Sequence, residues 1–374
     1  TTHSTHKLLA AFSQASMIHA RDSRTPKLDA ARFNESFMMH TSTSPLYSVI
    51  ASCDIASKMM EGPAGQSLVQ EMQDEAIAFR RAMLHVETDL GRDDWWFKVW
   101  QPDRVAAALD GSDSTAPIVA KQPDWYLRPN AQWHGFGDLA DEYVLIDPIK
   151  VTLITPGLSM DGAMGARGIP AAVLSKFLWT RGIVVEKTNL YSLLILFSMG
   201  ITKGKWSTLV TELMSFKQLY DRNAPISQAL PELYEEYPKA YATTGLRDLC
   251  DGLHEFNDTH RVAQVMREMY VDLPEPVITP SEAYDKLVHG HVERVGIDEL
   301  SGRIAATMLV PYPPGIPTIM PGERFGPQDD PIIASLRIAK AQNERFPGFE
   351  SDVHGLIVEQ DAKGPRYVVE VLKQ

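Results

Sequence analysis

Ser4-Thr5-His6-Lys7-Leu8-Leu9-Ala10-Ala11-Phe12-Ser13-Gln14-Ala15-Ser16 puts a lysine directly behind a histidine, with two hydroxyls ahead of them and an apolar, small-residue segment after them. Lysine is a nucleophile only as the neutral amine, which needs a desolvated or cation-flanked setting. Leu8 to Phe12 reads as packed interior and offers such a setting. The competing reading of a His-Lys pair this close to the first residue is a solvated end. A sequence that opens in what looks like mid-core also suggests a piece of a longer protein.

Hydroxyls three and two residues before a lysine suit a phosphate, and a histidine beside it can pack on a ring or hydrogen-bond to one. Together they suit a lysine that holds pyridoxal phosphate as a Schiff base. A second hydroxyl-rich stretch, His40-Thr41-Ser42-Thr43-Ser44-Pro45, precedes a helix predicted from Leu46 to about Met60. Helix starts with Ser and Thr are ready phosphate sites, and equally plain N-caps. Glu186 interrupts the apolar run Ile183-Val184-Val185-Glu186-Lys187. It either faces solvent by strand alternation or lines a pocket, where it would suit a cationic substrate tail.

The 374 residues carry 36 basic and 48 acidic side chains, a net charge of −12. That balance argues against a nucleic-acid or anionic-membrane partner and leaves room for a small cationic substrate. Two cysteines make no disulfide framework and lack metal-ligand spacing, so no metal is expected and a reducing cytoplasm is the simplest location. No apolar run approaches the roughly 20 residues of a membrane helix, and Thr1–Lys7 lacks the build of a signal peptide. Other matches fail. Gly200–Ser207 is one residue short of a phosphate-binding loop, and Gly162, Gly165 and Gly168 lack an adjacent G-x-G. His289-Gly290-His291 has no third ligand spaced nearby.

Helices are predicted over Gln66–Leu90, from Ile169 to Gly182 and along Trp206–Tyr220, each from three- and four-residue apolar spacing. Strands are predicted at Trp95–Trp100, Tyr143–Leu145, Val151–Ile154, Ile183–Lys187 and Leu193–Phe197. Arg21–Lys27 and Asp110–Asn130 read as a loop and a surface insertion. Helix, strand, strand, helix in that order suggests a small α+β domain with an antiparallel sheet. Proline-punctuated segments follow, and Pro311–Pro317 fits neither helix nor central strand. The expected organisation is residues 1–50 as the end of a large cofactor domain, 51–225 as linker helices and the small α+β domain, and 226–374 as a C-terminal α+β domain.

Several stretches resemble the bacterial lysine/arginine/ornithine decarboxylases, along nearly the whole chain and in order. Besides Ser4–Ser16 these are Phe33-Asn34-Glu35, Met38–Pro45, Trp133-His134-Gly135-Phe136, Asp147–Thr152, Gly168-Ile169-Pro170-Ala171, Val184–Thr188, Leu309–Pro317 and Pro347–Gly355. The likeness leans to the lysine branch. It implies an α/β fold of the aspartate-aminotransferase type (fold type I) and a pyridoxal-phosphate enzyme that decarboxylates a basic amino acid. Lys7 would be the Schiff-base lysine, with Ser4 and His6 as cofactor neighbours contacting the phosphate. Ser42 would reach the phosphate in a neighbouring subunit, and Glu186 would bind the distal amine. The family builds dimers, often assembled into decamers. It also has domains upstream of this point, so the N-terminal half of the same enzyme is the expected partner. Where many relatives read Gly-Pro-Tyr-Asn, this chain has Asn189-Leu190-Tyr191-Ser192, next to the presumed substrate acid. Two other readings remain: a non-catalytic assembly subunit on the same scaffold, and a different pyridoxal enzyme such as an aminotransferase.

Overall fold

The computed structural model describes residues 1–22, 27–91, 94–110, 121–312, 314–361 and 364–373. Residues 23–26 of the Arg21–Lys27 loop, residues 111–120 of the 110–130 insertion, and Pro313 lie outside them. The chain divides into two compact units, one of Thr1–Phe79, Asp147–Lys150 and Leu196–Trp206, the other of Arg80–Ile146, Val151–Ile195 and Ser207–Gln374.

In the first unit, strands Thr2–His3 and Met17–Ile18 pair antiparallel around the short helix Thr5–Leu8. Helix Ala30–His40 starts where Asp29 Oδ1 accepts the Ala31 and Arg32 N–H groups at 3.0 and 3.1 Å, an N-cap that satisfies two otherwise orphan donors. Helix Tyr47–Met59 follows, then the start of helix Gly62–Leu90. Pro45 lies before the helix rather than in its first turn, because Leu46 is the residue whose carbonyl opens the ladder. Phe79 meets Phe197 at a tilt with ring centres 5.5 Å apart and lies edge-on to Trp206 at 6.2 Å. The Leu8–Phe12 segment is not interior here: Leu8 is 42% and Phe12 59% exposed, and helix Ala30–His40 buries no residue.

The second unit contains most of a four-stranded sheet, ordered Lys98–Trp100, Lys150–Ile154, Ser192–Leu196, Lys187–Thr188. Its outer pairs are antiparallel, with Val99 opposite Leu153 and Thr188 opposite Leu193. Helix Ala171–Trp179 buries Val173, Leu174, Phe177 and Leu178, the face expected from their spacing, and Phe177 meets Phe216 of helix Lys203–Asp221 edge-on at 5.2 Å.

Three predicted strands are shorter than their apolar runs. Ile183 is drawn into a helix cap instead: its N–H bonds the Leu178 carbonyl at 3.0 Å while Gly182 takes φ +72°, so pairing begins only at Lys187. Trp96 and Phe97 are buried ahead of the strand, which starts at Lys98, and Leu145 makes a single bridge to Tyr126.

Toward the C-terminus, Gly364–Leu372 is the central strand between Leu356–Asp361 and Val292–Gly296, all antiparallel. Val369 and Val371 share a buried cluster with Leu309, Ile319, Phe325 and, from helix Pro331–Arg345, Ile333. Pro311 sits in the two-stranded pair Val310–Tyr312 with Asp352–His354, an edge setting where its missing N–H is tolerated.

Lys217, 4% exposed, donates to Asp94 at 2.7 Å and Asp221 at 2.6 Å and lies 4.7 Å from the Trp95 ring centre. The hydrogen bond from Lys217 holds the Asp94 carboxyl below its usual range. A carboxyl depressed in the folded state adds stability above its unfolded pKa and loses it as pH falls through the folded one. Lys217→Met is therefore expected to cost about 1 kcal/mol at neutral pH, since the partner carboxylates are partly solvent-screened. In thermal unfolding, the gap to the unsubstituted protein should narrow below about pH 4; a gap independent of pH would refute the assignment.

Candidate active site

Ser4, His6 and Lys7 fall together in one turn. Ser4 caps the helix Thr5–Leu8 without a side-chain capping bond, and Ser4 and Lys7 are exposed. Among the described residues the Lys7 amine has no ion pair or hydrogen bond. His6 Nδ1 lies 2.8 Å from the Ala15 carbonyl, which can only accept, so Nδ1 carries the proton and Nε2 of the neutral ring is an acceptor. The segment is tied to its neighbours by the Phe12 N–H, which donates to Ser52 Oγ at 3.0 Å, and by Ser52 Oγ, which donates to the Val49 carbonyl at 2.7 Å. Thr5 Oγ1 is buried with no partner among the described residues.

Ser42 belongs to the same unit but to a different segment. The hydroxyl run follows the C-terminal end of helix Ala30–His40, and its side chains close local turns: Thr41 Oγ1 donates to the Phe37 carbonyl, and Ser42 Oγ takes the Ser44 N–H at 3.1 Å. The alternative N-cap role is thus not what these hydroxyls do.

Glu186 lies in the second unit, exposed, immediately before strand Lys187–Thr188, with its N–H bonded to the Leu194 carbonyl at 2.9 Å. It lines a cavity of about 720 Å³ together with Lys176, Lys187, Glu350 and Asp352. Both ammonium groups of that cavity are engaged by backbone: Lys187 Nζ donates to the Pro314 carbonyl at 2.6 Å and Lys176 Nζ to the Gly348 carbonyl at 2.9 Å. Among the described residues no group of three His, Cys, Asp or Glu side chains could hold a metal.

A buried polar cluster escaped the reading of the residues. Tyr191 OH lies 2.6 Å from His254 Nδ1 and accepts from Asn257 Nδ2 at 3.2 Å, while His254 Nε2 lies 2.8 Å from the Gly165 carbonyl. All three side chains are 4% exposed. Burial pushes the Tyr191 hydroxyl up to about 12, so it stays protonated and donates to Nδ1. The signal was present in helix Leu246–Thr259, where His254 and Asn257 share the buried face with Leu246, Leu249, Leu253 and Phe256.

The family model described as "Orn/Lys/Arg decarboxylase, major domain" matches residues 1–205, and that of the "C-terminal domain" matches 263–373. The chain belongs to the Orn/Lys/Arg decarboxylase family. It is 59% identical over its whole length to lysine decarboxylase LdcA of Pseudomonas aeruginosa, covering 48% of that protein. The biodegradative arginine decarboxylase of Escherichia coli is 43% identical over 95% of the chain, with 48% of its own length covered. The solved structure of lysine decarboxylase A from Pseudomonas aeruginosa matches all of the chain and 48% of its own with a TM-score of 0.92. The E. coli constitutive lysine decarboxylase matches at 0.87 with 40% identity, again over 100% of this chain and 49% of its own. The chain thus spans about half the length of the curated relatives it matches and shares the mixed α/β fold of the corresponding half. No described helix is long and apolar enough to cross a membrane.

The family member's glycine loop is shaped around the buried cluster. A Cβ on Gly168 would sit 2.3 Å from His254 Nδ1, and one on Gly157, at φ +125°, 2.7 Å from Tyr191 Cε1. Gly168→Ala is expected to destabilise the protein by roughly 1–3 kcal/mol through overpacking, read as a lower Tm. An unchanged Tm would show that the His254 ring does not occupy this place.

Proposed function

We propose that this chain is the part of a pyridoxal-phosphate-dependent decarboxylase that carries the cofactor-binding lysine, acting on a basic amino acid, with lysine favoured over arginine and ornithine. The observation that carries the reading is Lys7, an unpaired amine in a turn with Ser4 and His6, in a chain 59% identical to a protein named lysine decarboxylase. The donor set fits the cofactor: Lys7 for its aldehyde, the Ser4 hydroxyl for its phosphate, His6 for its ring, and the buried Thr5 hydroxyl without a partner beside them. Bound, pyridoxal phosphate supplies an electron sink for the charge left when carbon dioxide departs.

The chain's own residues then divide the work. Lys7 tethers and releases, and His6 Nε2 stands available to hold a proton beside it. Ser42 serves the phosphate of a neighbouring subunit. The Glu186 carboxylate pairs with the distal ammonium of the substrate, in a cavity whose own lysines are tied to carbonyls and do not compete for it. The large apolar surface of the first unit, with Met39 at 82% and Tyr47 at 77% exposure, supports a homo-oligomer in which the remaining length of the protein and a second copy cover it. The organisation at 1–50, 51–225 and 226–374 and a cytoplasmic location belong to the same reading.

The test uses the full-length protein. Wild-type enzyme should show visible cofactor absorbance and release carbon dioxide from lysine faster than from arginine or ornithine. Lys7→Ala should lose that absorbance and at least about a thousandfold in kcat, with an unchanged circular dichroism spectrum. Full decarboxylation by Lys7→Ala would refute the proposal.

A further inference from the structure

Glu186 stands at the open end of a hairpin whose strands are Lys187–Thr188 and Ser192–Leu196. A side chain at the tip of that hairpin ties it to neighbouring elements. Tyr191 turns inward from it and donates to His254 Nδ1 at 2.6 Å. The donor sense follows from the other side of the ring: Nε2 faces the Gly165 carbonyl, which cannot donate, so Nε2 carries the proton and Nδ1 is left to accept. Asn257 Nδ2 fills the remaining position on the Tyr191 hydroxyl. Every polar atom of the ring pair is thus engaged in one arrangement, which links the hairpin tip to helix Leu246–Thr259 and, through Gly165, to the glycine loop. The backbone reinforces it, since the Leu190 carbonyl accepts from Ala171 N–H at 3.0 Å and the Tyr191 carbonyl from Thr155 N–H at 3.0 Å. The two neighbouring strand residues have outward anchors of their own, Lys187 to the Pro314 carbonyl and Thr188 Oγ1 to Ser175 Oγ at 2.9 Å. Among the described residues the Glu186 side chain has none, and its N–H bonds across the hairpin to the Leu194 carbonyl, so its place follows how firmly the hairpin is held.

We propose that Tyr191, through its hydrogen bond to the buried His254, is a positioning residue that fixes where the Glu186 carboxylate meets the distal amine of the substrate. This rests on the substrate role given to Glu186 above. It explains why an aromatic hydroxyl occupies the third position of the turn Asn189-Leu190-Tyr191-Ser192, and why Gly157 and Gly168, which flank the ring pair, have no room for a side chain. Tyr191 touches neither reacting atoms nor cofactor in this role, so its removal should act on substrate binding rather than on the chemical step.

The experiment measures lysine decarboxylation by the full-length, cofactor-loaded enzyme. Tyr191→Phe, which keeps the ring and removes the donor, should raise the KM for lysine roughly tenfold, the effect of one lost buried hydrogen bond, with kcat within about twofold. His254→Leu, which removes the acceptor, should also raise KM, and the double variant should fall short of the sum of the two because both break the Tyr191–His254 bond. His254→Asn offers Oδ1 where Nδ1 stood and should restore most of the lost affinity. Tyr191→Phe added to Glu186→Gln should raise KM no further than Glu186→Gln alone. A lysine KM unchanged in Tyr191→Phe, while Glu186→Gln raises it, overturns this inference and leaves the substrate role of Glu186 standing. A KM unchanged in Glu186→Gln overturns both. Equal losses of kcat in Tyr191→Phe, His254→Leu and His254→Asn, with a matching fall in Tm, would assign the pair to folding alone and overturn the positioning role.

Discussion

A phenol, an imidazole and a carboxamide share one nearly dry site in the second unit, each 4% exposed. Buried polar atoms are costly unless paired, and here the pairing has only one consistent proton arrangement. That requirement draws together a hairpin tip, a glycine-bearing loop and an amphipathic helix from distant parts of the chain. The rest of the unit is arranged around it: the loop must be bare of side chains where the rings lie, the helix must turn its polar residues inward, and the strand pair must end where Tyr191 can reach. Loss of Tyr191 or His254 leaves a polar atom of a neighbour without its partner.

The two units are built on different terms. The second closes over well-filled apolar clusters, from Phe177 against Phe216 to Ile333 beside Val369. The first has a compact aromatic contact at Phe79 but leaves Phe12, Met39, Leu46 and Tyr47 in water. Exposed apolar residues of that kind fit the covering interface proposed above. The lysine-bearing turn lies in this unit, so the chemistry proposed for Lys7 depends on surroundings that its own segment only partly provides.

Much of this was readable from residues alone. Three- and four-residue spacing located helices Ala171–Trp179, Lys203–Asp221 and most of Gly62–Leu90, because burial of one face dominates their stability. The Ser4–Lys7 turn and Glu186 were singled out by residue chemistry, and the family likeness was carried by long motifs. Strand limits were less legible. The run from Ile183 to Val185 has every local mark of a strand, yet the cap at Gly182 claims its first N–H, and apolar pattern says nothing about where a preceding helix ends its hydrogen bonds. Leu8 to Phe12 misled in the same way, since apolar character reports a need for cover and not which surface provides it. The burial of His254 could be read from its helix face, but its pairing with Tyr191 was beyond reach because the two lie 63 residues apart, and only folding makes one the other's acceptor.

The tethering of Lys176 and Lys187 to main-chain carbonyls has a consequence for what enters their cavity. A lysine held by neutral oxygens keeps its charge but gives up its reach, so it is less free to turn to the carboxylates of Glu186, Glu350 or Asp352 that line the same cavity. The charged side chains that line the hollow, two lysines and three carboxylates, leave one negative charge over, a balance that would favour a positively charged visitor.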